Sequence, residues 1–230
     1  MTKKTKLTLP LLALLTIVLN SYSQTRVGIS AGINFSNIEQ TKNKSPVKTS
    51  IRTGYRVGAN IETPISKEFY IEPGLLFTTK GFNKGDAVKM DAKAYYLELP
   101  INIIYKSQLG NGKLLLGAGP YMGYGLGGKW KTPANDNGTQ YITGMEGNLQ
   151  FVNDTKADNY YSIWGGSKFT YGKPFDFGAN FLAGYEFFNR FSVQVNSQLG
   201  LLNISPKVDG KKTNDQLKNL SFSIALGYHL

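Results

Sequence analysis

Leu220-Ser221-Phe222-Ser223-Ile224-Ala225-Leu226-Gly227-Tyr228-His229-Leu230 closes the chain. Its even positions carry Leu, Phe, Ile, Leu, Tyr and Leu, and its odd positions carry Ser, Ser, Ala, Gly and His. A period of two puts successive side chains on opposite faces of a β-strand. Just upstream, Phe191, Val193, Val195, Leu199 and Leu201 alternate in the same way with Ser192, Gln194, Asn196, Gln198 and Gly200. Traced back to Arg26, the alternation defines segments at 26–37, 53–64, 68–80, 94–106, 113–127, 175–188, 190–203 and 218–230. The face with the large residues holds no charged side chain in any of them. The other face is Gly, Ser, Asn and Gln, with isolated charges at Arg56, Glu62, Glu72, Glu98, Asp176 and Glu186. A soluble barrel would turn its apolar face inward and coat the other with Lys and Glu. Here the polar face is too small and too neutral for a surface, so it reads as a packed interior with the apolar face in lipid. Strands in a bilayer satisfy their backbone groups only by closing into a barrel.

Connection lengths agree. Ile65–Lys67, Ser107–Gly112 and Asn189 are short, whereas Ile38–Arg52, Gly81–Lys93, Gly128–Pro174 and Ile204–Leu217 are long. Short periplasmic turns, long outer loops and an even strand number are the bacterial outer-membrane pattern. Tyr95, Tyr105, Tyr124, Phe175, Phe177, Tyr185, Phe187, Phe191 and Tyr228 fall near strand ends on the apolar face, the level that amphipathic rings prefer. The predicted fold is an all-β, eight-stranded, antiparallel up-and-down transmembrane barrel.

The N-terminus reads as an export address. Lys3, Lys4 and Lys6 precede the apolar stretch Leu7–Leu19, and Ser21-Tyr22-Ser23 supplies small residues for a signal peptidase. The apolar run is shorter than the ~20 residues that span a bilayer. Residues 1–23 are thus expected to be a cleaved signal peptide, and 24–230 the outer-membrane barrel domain. Removing those lysines lowers the formal charge from +11 to +8.

The 230 residues include no Cys and one His, which excludes a disulfide scaffold, a thiol nucleophile, a lipid-anchored Cys and a His-rich metal site. The four outer loops, with Lys80, Lys93 and Lys218 counted in them, hold 17 basic and 9 acidic residues. The positive balance therefore lies on the outer rim, which suits lipopolysaccharide phosphates or another anionic partner as well as simple solvation. No nucleic-acid-binding module is recognisable, and no nucleic-acid partner is expected.

An eight-stranded barrel is just filled by its side chains. Strand direction puts Arg56, Glu98 and Asp176 toward the outer rim. It puts Glu62, Glu72, Lys106, Lys113, Glu186 and His229 toward the periplasm. They are expected to form two layers of inward ion pairs, with a narrow ion path or proton-linked site as the alternative. His229 is the only possible imidazole base, and Ser221 and Ser223 lie beyond hydrogen-bond reach along the strand. Asp154 and Asp158 are scattered loop acids. Neither Gly123–Gly128 nor Gly165–Lys168 is followed by a helix whose N-terminus could bind phosphate. No catalytic, cofactor-binding or metal residue is assigned, and no cofactor is expected.

Loop 128–174 carries Trp130, Tyr141, Phe151, Tyr160, Tyr161, Trp164, Phe169 and Tyr171, unusual for a solvated connection. Thr139–Thr143 and Asn148–Val152 have strand-like character, so the flanking strands are expected to continue above the membrane as a hairpin. The rings fit either a docking surface for a protein partner or a self-packed lid over the barrel mouth.

Val27-Gly28-Ile29-Ser30-Ala31-Gly32-Ile33-Asn34-Phe35-Ser36 resembles the first strand of the Bacteroidetes outer-membrane β-barrel domain, the PorT-like porin family. Phe69–Phe77, Tyr96–Ile101, Ala118-Gly119-Pro120-Tyr121 and Phe222–Tyr228 extend the resemblance over the mature chain. It implies an eight-stranded barrel inserted by the outer-membrane assembly machinery. One departure is the C-terminal Leu230, where such barrels commonly end in an aromatic residue; Tyr228 is the nearest ring. The function expected is that of a non-enzymatic scaffold or accessory for secretion or surface assembly. A narrow pore for small solutes or ions is the alternative, followed by a lipid-modifying enzyme.

Overall fold

A computed structural model describes residues 25–42, 44–84, 90–132, 135–136, 141–142, 144–157 and 168–230. The expected signal peptide lies outside them. The eight alternating segments become eight long strands: β1 (Arg26–Lys42), β2 (Arg52–Pro64), β3 (Phe69–Lys84), β4 (Met90–Leu109), β5 (Gly112–Thr132), β6 (Phe175–Phe187), β7 (Phe191–Gly200) and β8 (Gln216–His229). Each pairs antiparallel with the next. β8 returns to β1 in a register running from Gly28 opposite His229 to Thr41 opposite Gln216, which closes the ring. Among the described residues no helix is long and apolar enough to cross a membrane.

Burial is inside-out, as a lipid-facing barrel requires. Ile29, Leu126 and Leu226 on the large-residue face are 56%, 56% and 66% exposed, while Ser221, Ser223 and Ala225 are buried. Two belts of rings bound this face. The periplasmic one pairs Phe69 with Tyr105, Tyr185 with Phe187 and Phe191 with Tyr228, at centroid distances of 5.3, 4.7 and 4.9 Å. The outer belt includes the row Tyr55–Phe77–Tyr95, at 6.2 and 5.9 Å. From Tyr105 to Tyr95 along β4 is about 33 Å of strand at ~3.3 Å per residue. A tilt near 40° brings that to roughly 25 Å, the height of an outer-membrane apolar band.

Several strands run further than the alternation marked. β1 reaches Lys42, β3 reaches Lys84, β4 begins at Met90, β5 continues to Thr132 and β8 begins at Gln216, while β7 ends at Gly200, before residue 203. The pattern inverts above the outer belt. On β4, Tyr105, Ile103, Leu99, Leu97 and Tyr95 face out below it, and Lys93 and Asp91 face out above. The inward set changes from Lys106, Asn102 and Glu98 to Ala94, Ala92 and Met90. Water replaces lipid outside, so the outward face turns polar and the inward face supplies an apolar core. A reading that follows lipid-type alternation stops where that exchange occurs.

That core caps the barrel. Ile38, Phe82, Met90, Ala92, Ala94, Tyr96, Trp130, Leu149, Tyr171, Ile204 and Leu217 form one buried cluster, with Met145, Phe151 and Phe169 packed against it. The strand Met145–Phe151 pairs antiparallel with the end of β5 and parallel with Lys168–Gly172. Tyr141–Ile142 pairs with Asn135–Asp136. The expected extension above the membrane is therefore present for β5, with Met145–Phe151 as its partner, whereas β6 starts only at Phe175; of Thr139–Thr143 only Tyr141 and Ile142 lie within the described residues. A bulge makes it work: Tyr95 lies opposite Gly127 but Tyr96 opposite Gly125, leaving Leu126 as the extra residue. The bulge shifts the phase of β5, so Trp130 turns inward while Lys129 and Lys131 face out. Gly127 has φ +140°, a conformation L side chains rarely adopt.

Candidate functional site

The inward charges gather at two heights. In the periplasmic layer, Arg26 at the start of β1 donates to Glu62 at 2.6 Å and to Glu186 at 3.0 Å. Lys106 on β4 lies 2.5 Å from the other oxygen of Glu62 and 2.7 Å from Glu186. Two cations and two carboxylates thus alternate in a closed square that joins β1, β2, β4 and β6 across the lumen. Arg26 also donates to the Asn189 carbonyl in the β6–β7 turn. Buried charges are tolerable when paired and hydrogen-bonded, and each of Glu62 and Glu186 faces both cations, although both donors to Glu186 converge on its Oε2.

His229 and Glu72 border the square. The imidazole nitrogens stand 3.9 Å from Glu62 and 3.8 Å from Glu186, too far to hydrogen-bond, and neither has a hydrogen-bond partner among the described residues. Glu72 accepts from Asn60. Glu62, Glu72 and His229 can bring one ligand atom each within 4.8 Å of one another, the spacing of a metal site. Both oxygens of Glu62 are already engaged by Arg26 and Lys106, however, so a metal ion would have to enter against two fixed cations. The residues do not fit one. Among the described residues no serine or carboxylate hydrogen-bonds His229, and Ser223 instead accepts from Arg56. A nucleophile–base pair is not assembled.

The outer layer centres on Lys80. Its ammonium lies 2.6 Å from Glu98, 3.6 Å from Asp176, and 4.6 and 5.4 Å from the ring centres of Tyr121 and Tyr96. Asp176 also accepts from Tyr121 and Asn219, and Glu98 accepts from Gln198, to which Ser221 donates. Tyr171, a cap residue above the membrane, donates to Asn219 and ties the cap to this layer. Burial pushes the Tyr171 hydroxyl above its ordinary range, so it remains a donor.

Two expectations are corrected here. Lys80 was counted with the outer-loop charges, but it is 1% exposed and lies inside the barrel. The signal was present: Glu72, Leu76 and Thr78 define the inward phase of β3, and Lys80 continues it. Arg56 is expected in the outer ion-pair layer, yet among the described residues it donates only to Ser223, at 2.8 Å, between the layers. Register sets Arg56 opposite Gly32 and Thr78, and Lys80 occupies the place between the two outer carboxylates. Glu98, Asp176, Glu62, Lys106 and Glu186 lie where expected. Lys113 is half-buried opposite Glu186 and forms no ion pair among the described residues.

Of the rings in loop 128–174, Trp130, Phe151, Phe169 and Tyr171 pack into the cap core. Phe151 meets Tyr96 edge-on at 5.2 Å and Tyr171 at 5.4 Å. These four act as a lid and are not free as outward anchors. Tyr160, Tyr161 and Trp164 lie outside the described residues, and so does Asp158. What the described cap turns outward is charged and polar: Lys129, Lys131, Glu146 and Asn148.

Residues 19–205 match the profile of the outer membrane protein beta-barrel domain, over most of the chain and across seven of the eight strands described above. The chain belongs to this family. Membership in the outer membrane protein beta-barrel domain family agrees with the inside-out burial and places the chain in the outer membrane. No curated protein matches the sequence. Among solved structures, OprG of Pseudomonas aeruginosa is 10% identical, with 89% of this chain and 95% of that one covered at a TM-score of 0.46. Neisserial surface protein A is 10% identical, with 90% and 99% covered at 0.42. The attachment invasion locus protein Ail of Yersinia pestis is 12% identical, with 90% and 99% covered at 0.40.

Proposed function

We propose that the chain is a non-enzymatic outer-membrane scaffold, an accessory for secretion or surface assembly. Export by residues 1–23 delivers domain 24–230 to the outer-membrane assembly machinery, and the barrel then sits among lipopolysaccharide. One observation carries the reading. Arg26, Glu62, Lys106 and Glu186, and Lys80, Glu98 and Asp176, are joined to each other across strands in two layers, and the outer mouth is filled by an apolar cap. The inward chemistry is thereby spent on holding the barrel together, and action falls to the outer surface, including loop 128–174.

The test is mild-detergent purification from native outer membranes, with mass spectrometry of what accompanies the barrel. A stoichiometric protein, lost when loop 128–174 is trimmed while the barrel keeps its heat resistance, is the expected result. A lone barrel that conducts in planar bilayers would replace the scaffold reading with a narrow pore. Turnover of a lipid substrate that disappears in His229→Ala would replace it with an enzyme.

A further inference from the structure

Where β4 and β5 leave the membrane, Lys93 lies directly opposite Lys129 on the outward face. Residues so placed have Cβ atoms about 5 Å apart, and like charges there repel. The neighbouring charges are balanced. Arg52 donates to Asp91 at 2.6 Å, and Lys131 lies in register between Asp91 and Glu146. Among the described residues, neither Lys93 nor Lys129 has a carboxylate partner. The Lys93 ammonium instead sits 5.3 Å from the Tyr55 ring centre and 5.2 Å from that of Tyr95. Lys93, Tyr95 and Lys129 border an open cleft of about 520 Å³, whose other walls include Asn148, Gly147 and the balanced charges Arg52, Asp91, Lys131 and Glu146.

Height and surroundings select the ligand. Tyr55 and Tyr95 belong to the outer ring belt, the level of lipid headgroups. Directly below are Val57, Leu75, Leu97 and Leu99, each at least 39% exposed on the lipid face. An anion held between the two ammoniums would therefore have apolar wall beneath it, where acyl chains lie. We propose that Lys93 and Lys129 form a binding site for the phosphate of a phosphorylated outer-leaflet lipid, with Tyr55 and Tyr95 setting its depth and the lower lipid-facing strands taking its chains. A phosphate relieves the lysine–lysine repulsion and completes charge-assisted hydrogen bonds that the protein leaves open. This rests on the reading that the barrel sits among lipopolysaccharide, and it names the contact.

The experiment titrates full-length protein in detergent with bisphosphorylated lipid A, dephosphorylated lipid A or inorganic phosphate, and scores complexes by native mass spectrometry. Lys93→Gln/Lys129→Gln should bind the phosphorylated lipid roughly tenfold to thirtyfold more weakly than the parent, as expected for about 1 kcal/mol per lysine. Lys211→Gln/Lys212→Gln, the same charge change at exposed positions elsewhere, should bind like the parent. Retention of the folded gel mobility before heating confirms that each variant is folded. Equal binding by parent and Lys93/Lys129 variant would overturn the site while leaving the lipid partnership intact. Binding that does not need the lipid phosphates, or that inorganic phosphate equals, would overturn the assignment to the headgroup of a phosphorylated lipid. No lipid binding by the parent would remove the broader reading too.

Discussion

Lys80 Nζ lies 2.6 Å from Glu98 Oε1 inside the barrel, and both side chains are 1% exposed. Removing the cation leaves Glu98 and Asp176 with their neutral donors Gln198, Tyr121 and Asn219 but no cation at contact distance. Breaking a buried pair from one side costs about 3–5 kcal/mol. Lys80→Met should lower the temperature at which the folded gel band is lost by more than any other single lysine replacement in the outer half. Lys80→Met combined with Glu98→Gln should recover part of that loss.

Arg56→Met removes the hydrogen bond to Ser223 and a longer-range attraction to Glu98 and Glu72, but no ion pair at contact distance. A smaller cost is expected, on the order of 1 kcal/mol. Side-by-side heat-resistance curves for Arg56→Met and Lys80→Met decide whether Lys80 or Arg56 is the outer-layer cation.

Glu62 and Glu72 are two buried carboxylates of one strand pair with unequal roles. Glu62 bridges Arg26 and Lys106, whereas Glu72 accepts from the Asn60 amide. Glu62→Gln should destabilise by about 3 kcal/mol or more, because two cations lose their shared anion. Glu72→Gln should cost under roughly 1 kcal/mol, since a neutral amide oxygen still accepts from Asn60. Urea unfolding in lipid vesicles measures both.

Gly81 and Gly127 have φ of +143° and +140°, but different surroundings. A Cβ on Gly81 would fall 1.9 Å from the Ala92 carbonyl oxygen, while the nearest atom to one on Gly127 is 3.7 Å away. Gly127→Ala should carry only the backbone penalty, about 1–2 kcal/mol. Gly81→Ala adds a backbone clash and should reduce the folded yield further. The ratio of folded to unfolded protein after refolding tests the order.

Trp130 is 2% exposed in the cap, outside the lipid band. Trp130→Ala should cost the cap about 3–5 kcal/mol, the usual loss for a buried aromatic. The barrel below has its own ion-pair layers and should stay inserted. Limited proteolysis on intact cells should then cut between residues 145 and 172 faster than in the parent, with the barrel fragment still folded.

The strand plan was legible because lipid imposes a strict rule: one face of every crossing must be apolar and free of charge. Leu220–Leu230 obeys it throughout, and Phe191–Leu201 departs from it only at the uncharged Ser197. The rule lapses where water replaces lipid, so Met90, Ala92 and Trp130 were read as loop although they are strand. The bulge at Leu126–Gly127 made the cap harder to see, since it shifts the phase of β5 and sends Trp130 inward and Lys129 outward.

The lumen was legible in kind more than in partners. Inward carboxylates at Glu62, Glu98, Asp176 and Glu186 follow from alternation alone, but which cation each meets depends on strand stagger across the barrel. Arg26 and Glu186 are 160 positions apart and Lys106 and Glu186 are 80 apart, yet all converge on one layer. By itself the sequence determined an eight-stranded outer-membrane barrel, its inward and outward faces and its ring belts, because those follow from local periodicity against the bilayer. Only the tertiary structure decided that Lys80 and not Arg56 pairs with Glu98, that Trp130, Phe151, Phe169 and Tyr171 pack into a cap at the mouth, and that Lys93 meets Lys129. Each of these depends on the register between strands, a long-range quantity that no local pattern encodes.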